Sequence, residues 1–140
     1  MVKNIVVLIT ALGLLFSAAG CTTLADARAA KGSGLSRVYD ASYDKVWNAV
    51  PQVLKEMGLK EEGNNKAAGY VVAQNPVSFL RGTSLARPSE NIAIFVDKLD
   101  ESGKTRVEVV SKNAVAINVF TKNENREKDI LDKMTERLRK

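Results

Sequence analysis

Side chains able to do covalent or metal chemistry are few in this chain of 140 residues. One cysteine is present, Cys21, and there is no histidine. Without imidazole the Ser-His-Asp and Cys-His nucleophile systems and the usual zinc ligand sets drop out, and a lone cysteine leaves no intramolecular disulfide. Asp97, Asp100 and Glu101, together with Glu108, come nearest to an acidic cluster. Carboxylate pairs can hydrolyse glycosides or hold calcium. These, however, surround the turn Asp100-Glu101-Ser102-Gly103 without the regularly spaced loop that calcium requires, which points to a solvated turn. Tyr43 and Trp47 have rings that could stack on a sugar or lipid, but their helical spacing from Val50 and Leu54 favours core packing. No enzyme activity, cofactor or metal is expected.

Asn75–Glu90 is the least regular stretch of the folded part, and long loops without secondary structure are commonly functional or disordered. Phe79, Leu80 and Leu85 stand beside Arg81 and Arg87, with no acid before Glu90. That mixture suits contact with a partner groove or with lipid headgroups, so Phe79, Leu80, Arg81 and Arg87 are the candidate partner-binding residues. Equally open is that Phe79 and Leu80 tuck into a sheet edge while the arginines stay solvated.

The elements that must position these residues follow from periodicity. Leu35–Asp40 alternates and predicts a short strand. Ser42 is a natural N-cap for a helix whose apolar positions are Val46, Trp47, Val50, Val53, Leu54 and Met57, ending at Gly58. Pro51 inside it predicts a kink or a tight turn. A hairpin is expected from 59–62 and 69–74, turning at 63–68, with Tyr70 and Val72 on one face and Val71 and Ala73 on the other. In a second hairpin, strict alternation puts Ile92, Ile94, Val96, Val107 and Val109 on a buried face. Asn113–Phe120 extends that strand or adds another. A last helix opens with a capping box, Thr121 and Glu124, and carries Ile130, Leu131, Met134 and Leu138 on one stripe. The expected fold is α+β, in the order β-α-β-β-β-β-α: a single antiparallel sheet of about five strands with two helices packed on one face.

The amino-terminal end has a different character. Lys3 precedes an apolar stretch from Ile5 to Phe16, and small residues lead up to Cys21. That layout suits a secretory signal over residues 1–20. Twelve helical residues reach only about 18 Å, short of a hydrocarbon core of about 30 Å. Its removal costs only Lys3 and leaves twenty basic against sixteen acidic residues, interspersed in sequence, so no nucleic-acid partner is expected. Residues 21–36, rich in small and polar types, suggest a flexible tether of about 20 Å reach, or else a short helix in the alanine-rich middle. Residues 37–140 form the globular domain.

Ser17-Ala18-Ala19-Gly20-Cys21 resembles the lipobox of bacterial lipoproteins. That resemblance implies cleavage before Cys21 and its modification with diacylglycerol and palmitate-type acyl chains. Thr22, in place of an aspartate, implies export to the outer membrane, with the domain facing the periplasm. The tyrosine-bearing strand, the Ser42-Tyr43-Asp44-Lys45-Val46-Trp47 helix start, Gly58, the strand Gly69–Ala73 and the second hairpin are similar to small Gram-negative lipoproteins. In general order they are also similar to the repeated domain of BamC, a lipoprotein of the outer-membrane β-barrel assembly machinery. The resemblance implies an envelope accessory that contacts other proteins and brings no catalytic residues. The expectation is a non-enzymatic protein-interaction or envelope-assembly accessory held to the membrane through acylated Cys21. A small-ligand or lipid-binding module, with a pocket between helices and sheet, is the alternative.

Overall fold

Five antiparallel strands form one open sheet in the order β1-β5-β4-β3-β2. The computed structural model describes residues 23–75, 90–99, 103–113 and 125–140. Its strands are β1 (Leu35–Tyr39), β2 (Lys60–Asn65), β3 (Tyr70–Asn75), β4 (Glu90–Leu99) and β5 (Lys104–Asn113), and its helices are α1 (Leu24–Ala29), α2 (Tyr43–Glu56) and α3 (Arg126–Leu138). The fold is α+β, as the periodicity predicts.

One face of the sheet is covered by α2 and α3. Alternation along the strands presents Val71, Ala73, Ile92, Ile94, Val96, Val107 and Val109 to Val46, Val50, Val53 and Leu54 of α2 and to Ile130, Leu131 and Met134 of α3, all buried. Helical and strand periods meet in one apolar layer here, and burial of that layer is the main source of stability. Tyr43 and Trp47 lie at its margin with their rings stacked at 5.9 Å. The Tyr43 hydroxyl donates to the carbonyl of Lys66 at 2.6 Å, which ties α2 to the β2–β3 turn.

Four local features differ from the sequence reading. The helix α2 runs unbroken through Pro51. Its buried residues on both sides of the proline, Val46, Ala49 and Val50 before it and Val53 and Leu54 after it, hold the backbone helical by packing, while Pro51 itself faces solvent. The first hairpin turns later than expected, at 66–69, because a register shift between Glu61 and Gly63 absorbs one residue and lets β2 continue to Asn65. Gly69 closes that turn with φ of 68°, and a Cβ there would stand 2.5 Å from the Val96 carbonyl oxygen, so no other residue fits without a backbone shift.

Third, α3 starts at Arg126 behind Asn125, which makes no side-chain cap bond. The expected box at Thr121 and Glu124 lies before this start and outside the described residues. Glu127 in its first turn instead accepts from the amides of Leu35 at 3.1 Å and Ser111 at 3.0 Å, joining the helix to β1 and β5. The fourth difference is in the expected tether. Of its two readings, the structure contains the helix, and α1 is packed on the second face of the sheet. Apolar cover is the reason: Ala27 is fully buried against Ala93, Phe95 and Val110, side chains that would otherwise face water.

Candidate functional site

The second face of the sheet is where polar and charged groups converge, and the segment from Thr23 to Gly34 assembles them. Six residues of helix do not persist alone in water, so α1 depends on its caps and its docking. Thr23 and Asp26 form a reciprocal cap: the Thr23 amide donates to Asp26 Oδ2 at 2.6 Å, and the Asp26 amide donates to Thr23 Oγ1 at 3.2 Å. These bonds from Thr23 hold the Asp26 carboxyl below its ordinary value.

Along the docked segment, contacts step across the sheet. Arg28 lies over the Tyr70 ring of β3 at 5.2 Å and donates to its hydroxyl at 3.1 Å. Lys31 lies over the Phe95 ring of β4 at 5.3 Å and pairs with Asp97 at 2.6 Å, while Arg106 of β5 pairs with the other Asp97 oxygen at 3.1 Å. Partial burial pushes the Asp97 carboxyl up, but the hydrogen bonds and charges of Lys31 and Arg106 outweigh it and leave the group below its ordinary value. On β5, Glu108 is only 6% exposed, and one of its oxygens accepts from the amides of Gly32 at 2.6 Å and Gly34 at 3.1 Å. A buried carboxylate needs such partners, and these two amides supply charge-assisted bonds that hold the chain to the sheet. A Cβ on Gly34 would meet the Val109 carbonyl oxygen at 2.0 Å, so the segment lies directly on the β5 backbone.

Asp97 and Glu108, grouped in sequence with a solvated turn, are thus the two acceptors that fasten the amino-terminal segment. Asp100 and Glu101 lie outside the described residues. So do Cys21 and the partner-binding candidates Phe79, Leu80, Arg81 and Arg87. Sequence reasoning missed the second layer of contacts although a signal for it is present. Ile92-Ala93-Ile94-Phe95-Val96 is a continuous apolar run, the signature of a strand buried on both faces.

On the other side of the molecule, Lys45, Asn48, Ala49, Gln52, Arg137 and Leu138 line a groove of about 240 Å³ between α2 and α3. Arg137 bonds to both Gln52 and Glu56, and Lys45 donates to the Leu138 carbonyl at 3.3 Å, so polar side chains already bridge it. Its volume is below the roughly 300–1,000 Å³ of small-molecule sites. The space between these helices and the sheet, where a ligand pocket was an alternative, is occupied by the apolar layer among the described residues. Tyr39 extends the helix attachment. Its hydroxyl donates to the Leu131 carbonyl at 2.8 Å, and burial raises its pKa above the ordinary phenol value.

No protein-family model matches the chain, and no curated protein matches it. Among solved structures, the crystal structure of TTHA0849 from Thermus thermophilus is similar at a TM-score of 0.40 and 13% identity, covering 74% of this chain and 94% of that one.

Proposed function

We propose that this chain is a lipid-anchored periplasmic protein of the outer membrane that acts without catalysis, as a protein-interaction or envelope-assembly accessory. The observation that carries the reading is Cys21, the sole cysteine, standing at the end of an apolar run and small residues. The diacylglycerol carried by that thiol supplies two acyl chains, the number that stable anchoring takes. Confinement to a membrane raises the effective concentration toward partners in the same plane, so weak contacts suffice for an accessory.

The test is Cys21→Ser in the native host, followed by fractionation and metabolic labelling with an alkyne palmitate. The variant is expected to be soluble or unprocessed and to lose the label that the unaltered chain takes up. A processed Cys21→Ser chain that stays with the membrane overturns the proposal, as does an unaltered chain without label.

A further inference from the structure

Among the described residues the sheet has two borders, and they are built differently. At one, β2 carries a register shift between Glu61 and Gly63, with Lys60, Glu61 and Glu62 before it. At the other, β1 pairs with β5 in unbroken register from Leu35 to Tyr39, without a bulge or a proline. Leu35 and Val38 of β1 are also the large apolar side chains that stand exposed among the described residues, at 40% and 52%. A regular edge of that kind is a template for another strand. We infer that the outer edge of β1 is a docking strand and that its partner is the same edge of a second copy of this chain, paired antiparallel about a two-fold axis at Val38. The inference rests on the anchor reading above and deepens it by naming the partner and the surface.

Hydrogen bonds elsewhere in the sheet fix which way the β1 backbone faces. The Val96 amide donates to the Gly69 carbonyl at 2.8 Å, so Val96, Ile94 and Ile92 bond towards β3, and Phe95 and Asp97 bond towards β5. Phe95 pairs with Glu108 and Asp97 with Arg106, which leaves Val107 and Val109 to bond with Arg37 and Leu35 of β1. The Ser111 amide agrees, since it points to the β1 side, where Glu127 accepts from it and from Leu35. Ser36 and Val38 therefore turn their N–H and C=O groups outward.

Side chains select the register. With Val38 opposite Val38, the most exposed apolar side chain is covered by its own counterpart, Arg37 falls opposite the uncharged Tyr39, and Ser36 falls opposite Asp40. Setting Ser36 against Val38 instead brings Arg37 against Arg37, with Cα atoms about 4.5 Å apart and like charges opposed. A shift the other way sets Val38 against Gly34, where the chain has already turned to Glu108 on the second face. The flanks carry both signs of charge. Asp132 accepts from Arg37 and Lys128 on the helical side, and Asp97 accepts from Arg106 and Lys31 on the other, so identical flanks meet no one-sided field. Five strand residues span only about 17 Å, and the contact is smaller than the roughly 1,200 Å² of stable pairs. Anchoring makes such a weak contact effective, because it holds every copy in the same plane.

The test is disulfide trapping in envelopes of the native host. Acylation consumes the thiol of Cys21, so a cysteine introduced at an exposed position is the sole thiol left. Across the axis the two Val38 Cα atoms stand about 5.5 Å apart, within the roughly 4.4–6.8 Å that a disulfide spans. The two Ser36 positions stand about 14 Å apart and the two Lys60 positions about 40 Å. Full chains with Val38→Cys, Ser36→Cys or Lys60→Cys, all at exposed positions, are oxidised with copper phenanthroline. Val38→Cys is expected to give a product of twice the chain mass, in yield at least about tenfold above the other two. Palmitate label on the same gel reports the anchor separately. On labelled chains, equal yields at the three positions, a larger yield at Ser36 or Lys60, or Val38→Cys products only with chains of another mass overturn the inference alone. Unlabelled chains overturn the anchor reading, and this inference with it.

Discussion

The two faces of the sheet are covered in opposite ways. The first meets two full helices, and its contacts are almost wholly apolar, with the polar bonds of Arg37 to Asp132, Thr135 and the Leu131 carbonyl placed at the rim. The second meets six residues of helix, a small apolar patch around Ala27, and ion pairs and carboxylate–amide bonds that do much of the holding. Large apolar area gives the first face strength that varies little with pH. The second has cover that opens at lower cost, since local opening free energy tracks buried apolar contact. One layer makes the domain, and the other fixes how the amino-terminal segment is attached to it.

Substitutions can break this contrast at known places. The largest effect is expected from Leu54→Ala on the first face, where loss of a fully buried side chain should cost roughly 4 kcal/mol in urea denaturation. Phe95→Ala on the second face should cost less, roughly 3 kcal/mol, because the cover over it is thin. Its distinguishing mark is amide exchange: protection of residues 24–34 should fall well before that of α2 and α3. Equal loss across all three helices would mean that both faces open as one unit, and the contrast would fail.

Acid should have the smallest effect, and on the second face. Asp97 has a folded pKa below its unfolded one, so its contribution is complete above the ordinary carboxylate value of about 3.9 and fades as pH falls through the lower folded value. Exchange of residues 24–34 should therefore accelerate below about pH 4, and Asp97→Asn should weaken that dependence, leaving the part that comes from the Asp26 cap. An acid response unchanged by Asp97→Asn would place its origin elsewhere.

The first face was legible in sequence because two periodicities had to agree. The alternation in Ile92-Ile94-Val96 and Val107-Val109, and the helical stripes of Val46-Val50-Val53 and Ile130-Leu131-Met134, each require an apolar neighbour, and a two-layer arrangement satisfies all of them. On the second face, the run Ile92–Val96 signals that cover exists, but not what supplies it, because the cover is held by bonds between residues far apart in sequence. Gly32 and Gly34 look like linker residues, and Glu108 looks like a solvated acid in an alternating strand. Only the folded chain shows that the carboxylate accepts from both amides. The beginning of α3 was misplaced for a related reason: a local Thr-Glu pattern resembled a cap, whereas Glu127 acts through the distant amides of Leu35 and Ser111. The candidates Cys21, Phe79, Leu80, Arg81 and Arg87 lie outside the described residues, so the structure neither gathers nor separates them.

The register shift in β2 has a consequence for neighbouring molecules. This strand forms one open border of the sheet, and Lys60, Glu61 and Glu62 precede the irregularity at Gly63. A second copy arriving side by side would find donors and acceptors out of step, and like charges opposed wherever the same residues met. A strand added along this border therefore meets a ladder broken at Gly63, which works against continued pairing.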